Sequence, residues 1–169
     1  IGPFHKETGA LITSKTAETF SSRFGHDLTE LAKQDQRICA ITAAMTSGTG
    51  LAAFSKAFPD RFFDVGIAEE HAVTMAAGMA KQGLIPVFAV YSTFFQRSYD
   101  MLIHDIAIDH IHAVFGIDRA GLVGDDGETH HGLFDLGFLQ TIPAITVLCP
   151  ASLDELSDML ERAVHRMDG

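Results

Sequence analysis

Three short segments concentrate the side chains that can do chemistry. The segment DVGIAEEH (residues 64–71) places adjacent carboxylates, Glu69 and Glu70, where a predicted strand passes into a predicted helix. Acids in the first turn of a helix also complement the helix dipole, at about 0.3–1 kcal/mol. Spacing alone therefore leaves open both a structural role and a role in acid–base chemistry.

The second segment, YSTFFQR (residues 91–97), holds two adjacent phenylalanines at the start of a predicted helix. Consecutive residues on a helix point about 100° apart, so Phe94 and Phe95 are not expected both to face the core. One of them is then either a half-exposed ring or a flat face that a ligand ring can stack on.

The third segment, DRAGLVGDDGETHHG (residues 118–132), is a polar loop of four glycines, four acids, one arginine and two histidines. Long loops between regular elements are often functional. No standard metal-ligand spacing occurs in it, so no metal site is predicted in this chain. We expect the loop to be mobile without a ligand and a neighbouring domain.

A fourth pattern favours a different function. Gly48-x-Gly50-x-x-Ala53 follows a predicted strand and opens a predicted helix, and Asp64 stands 16 residues after Gly48. This arrangement resembles a dinucleotide-binding fingerprint, in which an acid holds the ribose. A polar Thr46-Ser47 pair in place of a tight strand–turn weakens the match. A nucleotide-binding module is therefore kept as an alternative.

The elements that must position these segments alternate between strands and helices. Strands are predicted over residues 38–45, 62–65, 84–90, 111–117 and 144–148, and helices over residues 13–33, 51–58, 68–81, 93–108, 133–139 and 153–166. This alternation predicts an α/β fold with a doubly wound, mostly parallel sheet and helices on both faces. Ligands of such sheets bind at loops after the strands, which here are residues 46–50, 66–70, 91–93 and 118–132.

The ends of several elements carry recognisable signals. Gly83 is predicted to stop the helix over residues 68–81, and Ser92 or Thr93 to cap the next one. Ser152 is predicted to cap the last helix, with Glu155 three residues on as in a capping box. Residues 1–9 are predicted to be a linker, and residues 10–169 a single domain.

Composition limits the classes of partner. The chain has 169 residues, 47% hydrophobic, with a net charge of −10, which argues against nucleic acid but permits a small anionic substrate held by local arginines. Cys39 and Cys149 lie in apolar runs and are predicted to be buried, reduced thiols of a cytoplasmic protein. No apolar run approaches the roughly 18 residues of a membrane span, so no membrane partner is expected.

The three segments together resemble the middle domain of the 1-deoxy-D-xylulose-5-phosphate synthase family, in the transketolase-like superfamily. The matching stretches are FPDRFFDVGIAEEHAVTMAAGMA, YSTFFQRSYDMLIHDIA and DRAGLVGDDGETHHGLFDL. The third stretch separates that family from transketolase and from the oxo-acid dehydrogenase β-subunits, which are the nearest alternatives. The resemblance implies a transferase that uses thiamine diphosphate to condense pyruvate with glyceraldehyde 3-phosphate, releasing carbon dioxide.

The resemblance also implies roles for particular residues. Glu69 resembles the glutamate that activates the cofactor through its aminopyrimidine, and Phe94 the aromatic ring that stacks on that pyrimidine. The residues that resemble contacts to the acceptor phosphate are Tyr91, Arg97 and Arg119. The residues that resemble polar groups around the bound intermediate are Asp126 and His130, and His130 can also relay protons.

One departure from the family limits what the chain can do alone. Relatives bind the diphosphate and Mg²⁺ through a Gly-Asp-Gly stretch followed by asparagines, and this chain contains no Asn. We therefore expect Mg²⁺ to be bound by a domain absent from this chain, and the isolated chain not to turn over pyruvate. The family further implies a homodimer. An assembly module, in which the Ala-rich helix over residues 68–81 and the apolar helix over residues 94–108 pair across a two-fold axis, is compatible with this expectation.

Overall fold

Four parallel strands form the sheet that positions the site. In the computed structural model, which describes residues 4–9, 17–124 and 126–167, these strands are β1 (Ile38–Thr42), β2 (Phe62–Asp64), β3 (Ile85–Tyr91) and β4 (Val114–Asp118). Their spatial order is β2-β1-β3-β4, and every neighbouring pair is parallel. The predicted α/β class with a parallel sheet is confirmed.

The strand order reverses between β1 and β3. From β1 the chain moves outward to β2 on one side, and then crosses to β3 and β4 on the other side. Loops that leave the carboxyl ends of β1 and β3 therefore diverge and open a crevice between them, which is where doubly wound sheets bind ligands.

Helices cover both faces of the sheet. They are α1 (Phe20–Gln34), α2 (Ala52–Ala57), α3 (Glu69–Lys81), α4 (Ser92–Phe95), α5 (Tyr99–Met101), α6 (Asp135–Leu139) and α7 (Leu153–His165). One core cluster joins one face of the sheet to α3, to the helical segment 92–107 and to α6; the other joins the opposite face to α1, α2 and α7. Within the described ranges, no helix has both the length and the apolar character needed to cross a membrane.

The two central strands are buried on both faces, as expected for a parallel sheet between helices. Side chains alternate along β3, so that Phe88 and Val90 pack in the cluster with α3, whereas Val87 and Ala89 pack in the cluster with α1. This double-sided burial explains why β1 and β3 were visible in the sequence as short continuous apolar runs.

Two of the predicted helix-end signals are confirmed. Gly83 follows the end of α3 with φ +85°, a backbone conformation in which glycine avoids the Cβ clash. The Ser152 side chain accepts a hydrogen bond from the Glu155 N–H at the start of α7. The Glu155 carboxylate in turn accepts from the Ala151 N–H, one residue before the position of a standard capping box.

The structure corrects the predicted helix over residues 13–33. The helix begins at Phe20, after the N-cap Thr19, whose side chain accepts from the Ser22 N–H. Residues 13–16, and residues 1–3 of the predicted linker, lie outside the described residues. The Ser22 hydroxyl also accepts from the Thr19 backbone N–H. This local pair fixes the start of the helix later in the chain than its apolar periodicity predicted.

The predicted strand over residues 144–148 is wrong. No strand is assigned in this part of the described chain, and β4 pairs only with β3 among the described residues. An apolar run does not by itself specify a hydrogen-bonded partner, and residues 144–148 are mostly exposed, including Val147 at 37% and Leu148 at 39%. Consequently Cys149 is exposed, contrary to the prediction, whereas Cys39 in β1 is buried as predicted. Burial raises the pKa of the Cys39 thiol.

The predicted continuous helix over residues 93–108 is divided by changes of hydrogen-bond register. The chain passes from α4 through a 3-10 turn (Gln96–Ser98) and α5 into a π-helical stretch (Leu102–Ala107). Neither Ser92 nor Thr93 caps it with a side chain, because the Ser92 hydroxyl donates instead to the buried carboxylate of Asp135. Phe94, in α4, and Arg97, in the 3-10 turn, therefore do not lie on one continuous regular helix.

Candidate functional site

A cavity of about 430 Å³ opens where the strand order reverses, at the carboxyl ends of β1 and β3. Its lining comes from the loop after β1, the end of β2, the end of β3 and the long polar loop. The lining residues are Ala44, Met45, Thr46, Ser47, Gly48, Asp64, Tyr91, Phe94 and His130. The prediction that the loops after the strands gather at one site is confirmed for these elements.

Glu69 is the first residue of α3 and is only 1% exposed. Its Oε1 accepts a hydrogen bond of 2.7 Å from Arg97 Nη1, whereas its Oε2 is buried and has no hydrogen-bond partner. An unpartnered buried oxygen on a charged side chain is costly, by roughly 1–3 kcal/mol or more. A buried oxygen left unsatisfied in this way requires an explanation, and a ligand that supplies the missing hydrogen bond is one.

Phe94 and Phe95 point in different directions, as predicted. Phe95 is fully buried in the core, whereas Phe94 is partly exposed and lines the cavity. The Phe94 ring stacks loosely with Tyr91, with ring centroids 6.2 Å apart and planes 19° apart. The Arg97 guanidinium lies 5.0 Å from the Phe94 ring centroid, so Arg97 connects the buried carboxylate of Glu69 with the aromatic wall of the cavity.

His130 reaches the cavity from the long polar loop. Its ring centroid lies 5.2 Å from that of Phe94, in an edge-to-face arrangement. The base of the loop is closed by paired backbone hydrogen bonds between Gly121 and Gly132, of 2.7 and 2.9 Å. The Thr93 hydroxyl also donates to the Thr129 carbonyl. These contacts bring a residue that is distant in sequence onto the aromatic pair.

Arg119 is held beside the same cavity by several acceptors. Its Nε donates to Asp126 Oδ2 at 2.7 Å and its Nη1 donates to the Gly48 carbonyl at 3.1 Å. The guanidinium lies 3.8 Å from the centroid of the Tyr91 ring. The Arg119 hydrogen bond holds the pKa of Asp126 below its usual value, and burial raises the pKa of Tyr91.

The structure thus brings most of the predicted site residues together. Tyr91, Phe94 and His130 line the cavity. Arg119 and Asp126 are paired beside it. Glu69 does not itself line the cavity and is linked to it through Arg97, which pairs with Glu69 rather than standing free for an anion.

The glycines of the fingerprint-like pattern have packing roles. A Cβ on Gly48 would lie 1.7 Å from the Tyr91 hydroxyl oxygen. Gly50 has φ +80°, and a Cβ there would lie 1.9 Å from the Ser21 carbonyl oxygen. The spacing of these glycines therefore reflects close approach of a ring and of α1. The dinucleotide-binding alternative is not favoured.

Sequence reasoning missed part of the cavity wall. It gave Asp64 a role only as the acid of the dinucleotide alternative, and it did not single out Ala44 at all. Asp64 instead accepts hydrogen bonds from Ala44, Thr46 and Gly66. The signal that could have identified Asp64 was the position of an acid at the end of a strand, next to two loops that follow strands. Across residues 4–9, 17–124 and 126–167, no three His, Cys, Asp or Glu side chains cluster to hold a metal ion.

The fold and this site define a class of protein. The family model for the transketolase pyrimidine-binding domain matches residues 18–169, and the chain belongs to that family. Solved structures agree with the fold. A split-gene transketolase described as an inactive β4 tetramer aligns with TM-score 0.79 and 26% identity, over 90% of this chain and 49% of that chain. Transketolase from Leishmania mexicana aligns with TM-score 0.79 and 20% identity, over 92% of this chain and 25% of that chain.

Curated relatives narrow the similarity further. The chain is 56% identical to the 1-deoxy-D-xylulose-5-phosphate synthase of Clostridium kluyveri, over 98% of this chain and 26% of that protein. It is 53% identical to the protein of the same name from Aquifex aeolicus, over 98% of this chain and 26% of that protein. It therefore spans about a quarter of the length of these relatives. The identity to the synthases is about twice that to the split-gene transketolase, so the transketolase alternative is not favoured.

Proposed function

We propose that this chain acts as the pyrimidine-binding domain of a longer, thiamine-diphosphate-dependent synthase. The proposed reaction joins pyruvate and glyceraldehyde 3-phosphate to give 1-deoxy-D-xylulose 5-phosphate and carbon dioxide. The observation that carries the proposal is the buried Glu69 carboxylate, with one unpartnered oxygen, next to an aromatic cavity at the strand-order reversal. The identity of 56% to a synthase of that name supports the choice of reaction.

The residues present fit an aminopyrimidine. Such a ring needs a carboxyl group that can share a proton with a ring nitrogen, and a flat apolar surface; Glu69 Oε2 and the cavity face of Phe94 are groups of these two kinds. When bound, thiamine diphosphate supplies the electron sink for decarboxylation and carbon–carbon bond formation. Glu69 would hold and return a proton at the pyrimidine nitrogen, and Phe94 would orient the ring.

The basic and polar residues of the cavity suit the two substrates. Arg119, with Tyr91, is proposed to hold the acceptor phosphate, because a guanidinium can bind phosphate with two parallel hydrogen bonds. Arg97 is a further proposed phosphate contact, and an anion near it would compete with Glu69 for its guanidinium. His130 and Asp126 would bind polar groups of the reacting molecule, and His130 can exchange protons with it.

The proposal requires protein outside this chain for two purposes, which are the binding of Mg²⁺ with the diphosphate and the formation of a homodimer. Mg²⁺ and the diphosphate would be bound by another domain, because the chain lacks the asparagines of the family's diphosphate motif. A homodimer is also proposed, as part of the same functional assignment. Large apolar side chains that are exposed, including Ile67 at 80% and Phe134 at 64%, support contact with further protein surface.

Glu69→Gln in the full-length protein tests the proposal most directly. Glutamine keeps the size of the side chain but cannot take up a proton, so turnover should fall by about 10²–10⁴-fold. Steady-state formation of 1-deoxy-D-xylulose 5-phosphate measures the loss, and circular dichroism checks that the fold is intact. Glu70→Gln is the matched control and should keep wild-type turnover. Unchanged turnover in Glu69→Gln would refute the proposed function.

A further inference from the structure

Asp64 is the last residue of β2, and its carboxylate joins two separate loops. Its Oδ1 accepts from the Ala44 N–H at 2.8 Å and from the Gly66 N–H at 3.0 Å. Its Oδ2 accepts from the Thr46 hydroxyl at 3.0 Å. One side chain thus satisfies three donors, two from the loop after β1 and one from the turn that precedes α3.

The first of these loops needs such an anchor. Ala44 has φ +60°, a left-handed conformation that is strained for a residue with a Cβ. Ala44, Thr46 and Gly48 belong to this loop and line the cavity, as Asp64 itself does. The hydrogen bond from the Ala44 N–H to Asp64 holds the loop at its strained residue. The position of this cavity wall therefore depends on the Asp64 carboxylate.

The second loop leads directly to the buried carboxylate. Gly66 has φ +70°, and its carbonyl accepts from the Ala68 N–H at 2.9 Å. Ala68 is the N-cap of α3 and makes no side-chain capping bond, so the start of the helix depends on this turn. Glu69 is the next residue. Asp64 therefore holds the turn that determines where the Glu69 side chain begins.

The Asp64 carboxylate is suited to an accepting role. Burial by itself raises the pKa of this group, but the hydrogen bonds from Ala44, Gly66 and Thr46 outweigh it and leave the pKa below its usual value. At neutral pH the side chain is then an anion that accepts hydrogen bonds and has no proton to give. Such a side chain is suited to bridging the two loops.

We propose that Asp64 is a positioning residue of the cofactor site, which fixes the cavity wall after β1 relative to Glu69. The inference rests on the proposed function, since it concerns the alignment of Glu69 with a ring bound in that cavity. Nothing in the bridge requires Asp64 to touch the cofactor or the substrates. Its effect on the reaction is exerted through the two loops that it joins.

The test uses the full-length protein and three variants. Asp64→Ala removes all three hydrogen bonds, whereas Asp64→Asn keeps a carbonyl oxygen that can accept from both N–H groups. Asp60→Ala is the matched control, because Asp60 is an exposed acid just before the same strand. We expect Asp64→Ala to lower kcat roughly tenfold to a hundredfold. Asp64→Asn should stay within about fivefold of wild type, because only the bond to Thr46 is altered.

A second readout does not depend on activity. Amide hydrogen exchange of the protein without cofactor reports residues 43–48 and residues 65–69 separately. Asp64→Ala should increase exchange in both segments together, whereas Asp64→Asn and Asp60→Ala should leave both close to wild type. Faster exchange in only one segment, or a loss of more than tenfold in kcat for Asp64→Asn, would overturn the bridging role. The Asn variant keeps the test decisive even if Asp64→Ala does not fold.

A double variant separates this inference from the proposed function. If Asp64 acts through Glu69, adding Asp64→Ala to Glu69→Gln should reduce the residual turnover little further, since both changes impair one group. Multiplied losses would instead indicate an independent, general effect on the fold and would contradict the proposal. If Glu69→Gln loses turnover while Asp64→Ala keeps wild-type kcat and wild-type exchange, the proposed function stands and only the role of Asp64 fails.

Discussion

The polar groups at the two ends of the sheet differ in how completely they are hydrogen-bonded. At the amino end of β1, Arg61 donates to the carbonyls of Ala32, Asp35 and Ile38, at 3.0 to 3.2 Å, and its guanidinium lies 4.0 Å from the Phe58 ring centroid. There the charged side chain completes the hydrogen bonding of the backbone where α1 ends and β1 begins.

At the carboxyl end, comparable groups are left strained or unpaired. Arg119 also contacts a backbone carbonyl and an aromatic ring, but it has φ +57° and it pairs in addition with the Asp126 carboxylate of the polar loop. Ala44 has φ +60°, and Glu69 keeps a buried oxygen without a partner. The same kinds of contact thus stabilise the fold at one end, whereas at the other they hold groups in place at a cost in stability.

Among substitutions that compare the two ends of the sheet, the largest effect is expected for Arg119. In the full-length protein, Arg119→Lys should raise KM for glyceraldehyde 3-phosphate about 10- to 100-fold, because lysine cannot replace a charge-assisted, two-point contact with phosphate. Unphosphorylated glyceraldehyde should be affected much less. Steady-state kinetics with both acceptors measure the contrast, and urea unfolding should change little. Equal losses with the two acceptors would show that Arg119 does not bind the phosphate.

Arg61 tests the opposite end. Arg61→Met removes the donors of three backbone carbonyls, so the free energy of unfolding should fall by about 2–3 kcal/mol. Urea unfolding of the chain measures this loss, while the kinetics of the full-length protein should stay near wild type. Arg166→Met is the matched control, because Arg166 is 70% exposed and pairs only with Glu161 among the described residues. A large change in KM with Arg61→Met would show that Arg61 also affects the site, and would contradict a purely stabilising role for the amino end of the sheet.

A smaller effect is expected at Asp35. The hydrogen bond from the Arg37 side chain lowers the pKa of Asp35 from 3.8 to about 2. A lowered folded-state pKa stabilises the fold above the unfolded value, and this contribution is lost as the pH falls from about 4 to about 2. Because Arg37 is 61% exposed, we discount the effect to about 1 kcal/mol. Asp35→Asn should therefore destabilise the chain at pH 7 and much less near pH 2, as measured by urea unfolding at both pH values. An equal difference at both would contradict the assignment.

Local patterns were sufficient where local physics decides the structure. The cap at Ser152, the stop at Gly83 and the buried strands β1 and β3 follow from groups close together in sequence. The divergence of Phe94 and Phe95 follows from helical geometry alone. These features were predictable because the groups that determine them lie within a few residues of one another.

Other features depend on partners that are distant in sequence. The apolar run over residues 144–148 suggested a strand, but a strand also needs a partner in register, and the described structure forms no such pairing and leaves most of these residues exposed. Gly48 is a glycine because Tyr91 lies against it, which the spacing of glycines could not reveal. The pairing of Arg97 with Glu69 joins residues that are 28 positions apart.

The sequence by itself determined the class of fold, the edge of the sheet at which the site lies and three of the side chains that line its cavity, Tyr91, Phe94 and His130. Alternating hydrophobic periods and post-strand polar segments are properties of short stretches, so they can be recognised without coordinates. The tertiary structure alone decided which oxygen of Glu69 is unpartnered, which acceptor each arginine takes and that Asp64 bridges two loops. These outcomes depend on distances between elements, and such distances are established only when the strands β1, β2 and β3 pair and bring their loops together.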